Sequence, residues 1–185
     1  IFLLEFLMVV IYFTLCNKEK SSRIRFPRSF SVIAGDITAA FLTAVALSLI
    51  LYLIETLMAR VFNIKVPPNI IERWAEVAPN SYSVIFLLVI AIFIAPICEE
   101  LYGRGFIYNA LKTRFSVFVA VGLQAAIFAF LHFRNLYISI LIFLVSIPLA
   151  VIYEKRKSIL ASMFLHGMIN AYASIGILIL LVHNF

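Results

Sequence analysis

The chain has 185 residues, 64% of them hydrophobic and 13% charged, with a formal net charge of +6. Soluble domains carry about 25% charged residues, so this composition and a mean hydropathy of +1.10 exclude an ordinary soluble fold and point to a single membrane-embedded domain over residues 1–185. The positive charge is not a nucleic-acid footprint: the basic residues sit in short stretches between apolar runs, where they set topology, and the expected surroundings are the lipid bilayer.

The first apolar run, Ile1–Cys16, reads as a span or the remainder of one. It lacks the basic n-region and small-residue cleavage site of a signal peptide. The stretch Asn17–Arg28 is a basic loop, and Val32–Leu57 is the second apolar run. Asp36 and Glu55, near its ends, read as interfacial. Pro67–Pro79 forms the long loop; Asn69 is placed to cap a short helix whose Ile70, Ile71, Trp74 and Val77 share one face. That pattern suits an interfacial helix better than a substrate lid. Four further runs follow, Val84–Cys98, Val117–Leu131, Ile138–Tyr153 and Ile159–Val182, and His183 reads as interfacial.

Six runs predict an all-α, polytopic transmembrane helical bundle of about six spans at roughly 20 residues each. No period-2 alternation supports a β-barrel. Eleven basic residues fall in the Asn17–Arg28, Arg104–Arg114 and Lys155–Lys157 stretches, against Arg60, Lys65, Arg73 and Arg134 in the alternate ones. The positive-inside rule puts the first set in the cytoplasm; if Ile1–Cys16 spans, both ends of this sequence lie outside. Cys16 and Cys98 are too few for a disulfide framework and lack metal-ligand spacing.

Three places put polar groups into this apolar background. Glu99 and Glu100 are adjacent, and one carboxylate at a helix centre already costs about 2.5–3.5 kcal/mol. Glu100 and Arg104 are four apart and share a helical face, which leaves Glu99 about 100° around the helix for another role. His132 ends the fourth run, with Phe128 four residues earlier as a packing partner. His166 and Asn170, again four apart, can address one point. For these groups to meet, the helix carrying Glu99 must continue to about Thr113, so that Glu99 stands roughly 20 Å above the Lys112–Arg114 end. A kink at Pro96 would free backbone groups for a polar site. The expected result is a polar intramembrane cavity between the third, fourth and sixth helices, open to the cytoplasm; Tyr102 and Asn109 are further candidates to line it.

A glutamate, two histidines and an amide suit two hydrolytic chemistries. In one, the glutamate activates water and His and Asn groups stabilise the oxyanion. In the other, Glu99, His132 and His166 bind zinc with an open position for water. An aspartyl intramembrane protease needs two aspartates, and Asp36 stands alone. No Gly-x-Ser supports a rhomboid-like serine mechanism, and no His-Glu-x-x-His supplies the usual zinc helix. A permease would carry polar residues along both halves of a pathway, and the outer half here is apolar.

At these residues the chain resembles the CAAX protease and bacteriocin-processing (CPBP, or Abi) membrane proteins, closest in type to the CAAX prenyl endopeptidases. The matching motifs, in the family's order, are Glu99-Glu100-x-x-x-Arg104, Phe128-x-x-x-His132 and His166-x-x-x-Asn170. The resemblance implies an intramembrane endopeptidase that cuts near the C-terminus of prenylated CAAX proteins, with a protease core at about 83–183; processing of bacteriocin-type leader peptides and a non-enzymatic immunity or binding role are the alternatives. It further implies that Glu99 activates water with His132, that His166 and Asn170 hold the oxyanion, and that Glu100 and Arg104 support the site. Zinc is the cofactor alternative. Where members often carry a bulky aromatic before the arginine, this chain has Gly103, followed by Gly105 after it; two glycines are expected to loosen the helix by about 1 kcal/mol each.

Overall fold

The computed structural model describes residues 29–61, 63 and 80–175. The Ile1–Cys16 run, the Asn17–Arg28 loop, the Pro67–Pro79 helix and His183 lie outside the described residues. Within them every element is helical, with no strand: α1 (Phe30–Arg60), α2 (Ser81–Lys112), α3 (Val117–Leu131), α4 (Leu136–Arg156) and α5 (Ile159–Ala173).

Local chemistry sets the starts. Ser29, Asn80, Ser116 and Asn135 each turn a side-chain oxygen to the backbone N–H three residues on, which satisfies a donor that the first helical turn leaves open. At the other end, α4 stops where Lys157 takes a left-handed conformation, φ 53°.

Among the described residues, α1, α2 and α4 are long and apolar enough to cross a membrane, and α3 and α5 are shorter apolar helices. Six full spans are therefore not what the described residues contain. At 1.5 Å per residue α3 is about 22 Å long, short of a hydrocarbon core of about 30 Å. The outward faces carry exposed Phe41, Leu42, Leu53, Phe86, Phe118 and Phe130, as expected of surfaces that meet lipid.

Small residues let the helices close. Ala40 and Ala44 of α1 pack with Leu149 and Ile152 of α4 and Ala161, Leu165 and Ile169 of α5. A second cluster joins Tyr108 of α2, Ala120 and Val121 of α3, Ala150 and Tyr153 of α4, and Ile159 of α5. Asp36 is fully buried between helices and accepts from Arg156 Nε at 2.8 Å. A Cβ on Gly35 would stand 2.7 Å from Arg156 Nη2, so this glycine makes room for the guanidinium. Arg156 thus ties α4 to α1 besides marking topology.

The helix carrying the paired glutamates continues past them to Lys112. Arg104, counted above with the loop cations, is buried inside it and is no topology signal. Two stretches of α2 are π-helical, Ile90–Ile94 and Leu101–Tyr108. The first ends two residues before Pro96, which has no N–H to donate and disturbs the preceding turn. The second holds Gly103 and Gly105, so the glycine-flanked segment widens rather than frays. Asn109 donates to the Gly105 carbonyl at 2.9 Å, satisfying a backbone group in the altered register. Wide turns of this kind recur at functional sites.

Candidate active site

Glu100 and Arg104 form the floor. Both side chains have no exposure, and Arg104 Nη1 donates to Glu100 Oε1 at 2.8 Å. Arg104 Nη2 reaches α4, donating to the Ser146 carbonyl at 3.0 Å and its hydroxyl at 2.7 Å. Gln124 of α3 joins through the same hydroxyl at 3.3 Å, and the guanidinium lies 5.0 Å from the centre of the Phe128 ring. A buried charge left unpaired is expensive; this one is paired, hydrogen-bonded and stacked.

Glu100 does more than neutralise Arg104. Its Oε1 also meets His166 Nδ1 of α5 at 2.8 Å. A carboxylate accepts from its charged partners, so the proton belongs on Nδ1 and the ring is turned to point Nε2 away. That Nε2 stands 3.6 Å from Glu99 Oε2. His132, at the C-terminal end of α3, is set the same way: its Nδ1 donates to the Phe128 carbonyl at 2.9 Å, and its Nε2 stands 3.8 Å from the same Glu99 oxygen. The Phe128 ring lies 4.4 Å from the His132 ring and meets His166 edge-on at 6.3 Å, so one aromatic side chain contacts both imidazoles and Arg104.

Three helices therefore bring Glu99, His132 and His166 together. The Glu99 side chain is 14% exposed and that of His132 22%, whereas Glu100 has none. Glu99 is the carboxylate an outside molecule can reach.

Asn170, four residues on from His166, bonds the backbone of α2. Its Nδ2 donates to the Ala91 carbonyl in the first π-helical stretch at 2.8 Å. Although four residues apart on one helix, His166 and Asn170 hold two different parts of α2. Asn109 also faces elsewhere, donating to Tyr153 at 2.8 Å, and the Tyr102 ring packs against Phe106. Gln124 and Ser146 are the site residues the motif reading missed. Their signal was present: each is a polar side chain inside an otherwise apolar run, which in a membrane marks an interhelical contact.

The zinc alternative rests on Glu99, His132 and His166. Their donor types suit zinc, and both Nδ1 atoms are bonded on their far sides, as ligating histidines usually are. As arranged, though, no group of three His, Cys, Asp or Glu side chains among the described residues is disposed to hold a metal ion.

The family model described as "Type II CAAX prenyl endopeptidase Rce1-like" matches residues 81–172. That stretch runs from the first turn of α2 to the last turn of α5 and contains all three motifs. No curated protein and no solved structure matches the chain. With its membrane-length apolar helices and its glutamate–histidine cluster, this integral membrane protein belongs to the CAAX protease family of intramembrane endopeptidases.

Proposed function

We propose that the protein hydrolyses a peptide bond near the C-terminus of a prenylated, CAAX-type substrate, with Glu99 as the general base. The observation that carries this reading is the convergence of two imidazole Nε2 atoms on one partly exposed Glu99 oxygen, at 3.6 and 3.8 Å. Those separations are long for direct hydrogen bonds and suit bridging by a water molecule.

Proton placement supports the division of labour. With its proton on Nδ1, neutral His132 offers Nε2 as an acceptor, so a water can donate one hydrogen to His132 and the other to Glu99. Glu99 takes a proton as the water oxygen attacks the scissile carbonyl carbon. The carbonyl oxygen becomes an oxyanion. His166, its Nδ1–H fixed on Glu100, donates through Nε2 to that oxyanion when the ring carries both protons, and the second N–H of Asn170 is the further candidate donor. Collapse breaks the C–N bond, and the proton held by Glu99 passes to the leaving amine. No acyl-enzyme forms and no serine or cysteine nucleophile is needed.

The buried Arg104, Gln124 and Ser146 network lies along α2 between Glu99 and its basic end. In this reading that end faces the cytoplasm, the cleft is served from that side, and the substrate approaches Glu99 laterally between helices. A lipid chain in the bilayer and a peptide at the site suit such an approach. Zinc held by Glu99, His132 and His166 is the second reading, favoured by their shared focus; bound there, it would supply an activated water.

The test is incubation of the purified protein with a farnesylated CAAX peptide and detection of the released tripeptide. Release supports the reading. Cleavage of a bacteriocin-type leader peptide instead keeps the catalytic assignment and changes the substrate, and cleavage of neither favours a binding role.

A further inference from the structure

Pro96 lies three residues before Glu99, on the helical turn that leads into the site. In an α-helical register the N–H of residue 96 would serve the carbonyl of Ile92; in the wider π-helical register it would serve the carbonyl of Ala91. Proline supplies neither. The Ala95 N–H already takes the wider register, reaching the Ile90 carbonyl, so the one missing donor leaves the Ala91 carbonyl unserved by the helix, and an unserved carbonyl in hydrocarbon costs several kcal/mol.

The Ala91 and Ile92 carbonyls both face α5. Asn170 Nδ2 donates to the Ala91 oxygen at 2.8 Å. The Ile92 oxygen sits so close to Gly167 that a Cβ there would lie 2.7 Å from it. Only glycine leaves that space, and the obstacle is backbone, which cannot swing aside as a side chain would. On the same helix, His166 Nδ1 bonds Glu100 Oε1 at 2.8 Å. Three of five successive residues on α5, His166, Gly167 and Asn170, thus seat against the segment of α2 from Ala91 to Glu100.

We propose that Pro96, Gly167 and Asn170 form a docking clamp, in which Asn170 supplies the hydrogen bond that Pro96 cannot and Gly167 admits the neighbouring Ile92 carbonyl. The clamp sets the depth and rotation of α5 on α2, and so the position of His166 Nε2 over Glu99. Asn170 and Gly167 are then positioning residues that act through His166. This refines the oxyanion role given to Asn170 in the proposed function and rests on that reading for its kinetic test.

A double-mutant cycle distinguishes the two roles. Pro96→Ala restores an N–H for the Ala91 carbonyl, so a positioning role makes Asn170→Ala far less damaging in the Pro96→Ala background. The expected loss in kcat is about 10²-fold for Asn170→Ala alone, with KM little changed, as for a misplacement of about 1 Å. In the double variant most of that loss is recovered. If Asn170 acts only as an oxyanion donor, its removal costs the same in both backgrounds to within about twofold, and the clamp is overturned while the hydrolytic reading stands.

The same cycle read on the thermal midpoint in detergent needs no substrate. Pro96→Ala rescues the melting of Asn170→Ala if the clamp is right, even should the protein prove inactive on CAAX peptides. Additive shifts overturn the clamp. Gly167→Ala is the third arm: its loss of kcat must exceed that of a comparably small change elsewhere on α5, Ser162→Ala, and parity between the two contradicts the close-approach role.

Discussion

His166 donates through Nδ1 to Oε1 of Glu100 at 2.8 Å, the same oxygen that Arg104 holds from the other side. One carboxylate oxygen therefore neutralises a buried guanidinium and fixes the orientation of the His166 imidazole. The adjacent carboxylate, Glu99, is left facing two Nε2 atoms.

Glu100→Gln is expected to lower stability by about 3–5 kcal/mol, because it leaves Arg104 buried without its counter-charge. Arg104→Met, which removes the cation but strands Glu100, falls in the same range. Thermal or denaturant unfolding in detergent checks both. A double variant, Glu100→Gln with Arg104→Met, should be more stable than either single one; additive losses would contradict the paired-charge account.

Phe128 touches His132, His166 and Arg104. Phe128→Ala is expected to destabilise by about 3–5 kcal/mol through loss of a buried aromatic. Phe128→Leu refills much of the volume and should recover most of the stability while kcat stays low, because a branched chain does not hold the two rings at their present angles. Equal recovery of stability and kcat would reduce Phe128 to simple packing.

Asp36→Ala should lower the melting temperature and leave kcat and KM unchanged. The Asp36–Arg156 pair joins α1 to α4 and makes no contact with the glutamate–histidine cluster. A fall in kcat without a fall in stability would show that α1 reaches the site by a route absent from this geometry.

Exhaustive chelation is expected to leave activity intact, with no stoichiometric zinc in elemental analysis. Activity that disappears with chelator and returns with added zinc would transfer the water-activating role from the Glu99 side chain to a metal.

Much of the bundle was legible from apolar runs, because a membrane helix advertises itself by length and hydropathy. The Val117–Leu131 run and α3 share both ends. The extent of α2 was legible only indirectly: the apolar run stops at Cys98, and the need for Glu99, His132 and His166 to meet is what extends the helix to about Thr113, against Lys112 in the structure. The partner of Asp36 was hidden because Arg156 lies 120 residues away and only packing brings them together. Within the site, four-residue spacing correctly paired Glu100 with Arg104 on one face. It could not tell which neighbour each of His166 and Asn170 meets, because equal spacing on one helix does not fix what the facing helix offers. Asn170 finds a carbonyl that the proline-interrupted turn presents, and the sequence marked that turn only as a kink.

The central claim is that Glu99 removes the proton from the attacking water. The most direct measurement is the single-turnover cleavage rate of Glu99→Gln on a peptide that the unaltered protein cleaves, with folding checked by thermal melting. The account predicts a correctly folded protein slowed by about 10²–10⁴-fold, the usual contribution of a positioned general base. A folded Glu99→Gln protein that cleaves at close to the original rate would contradict it.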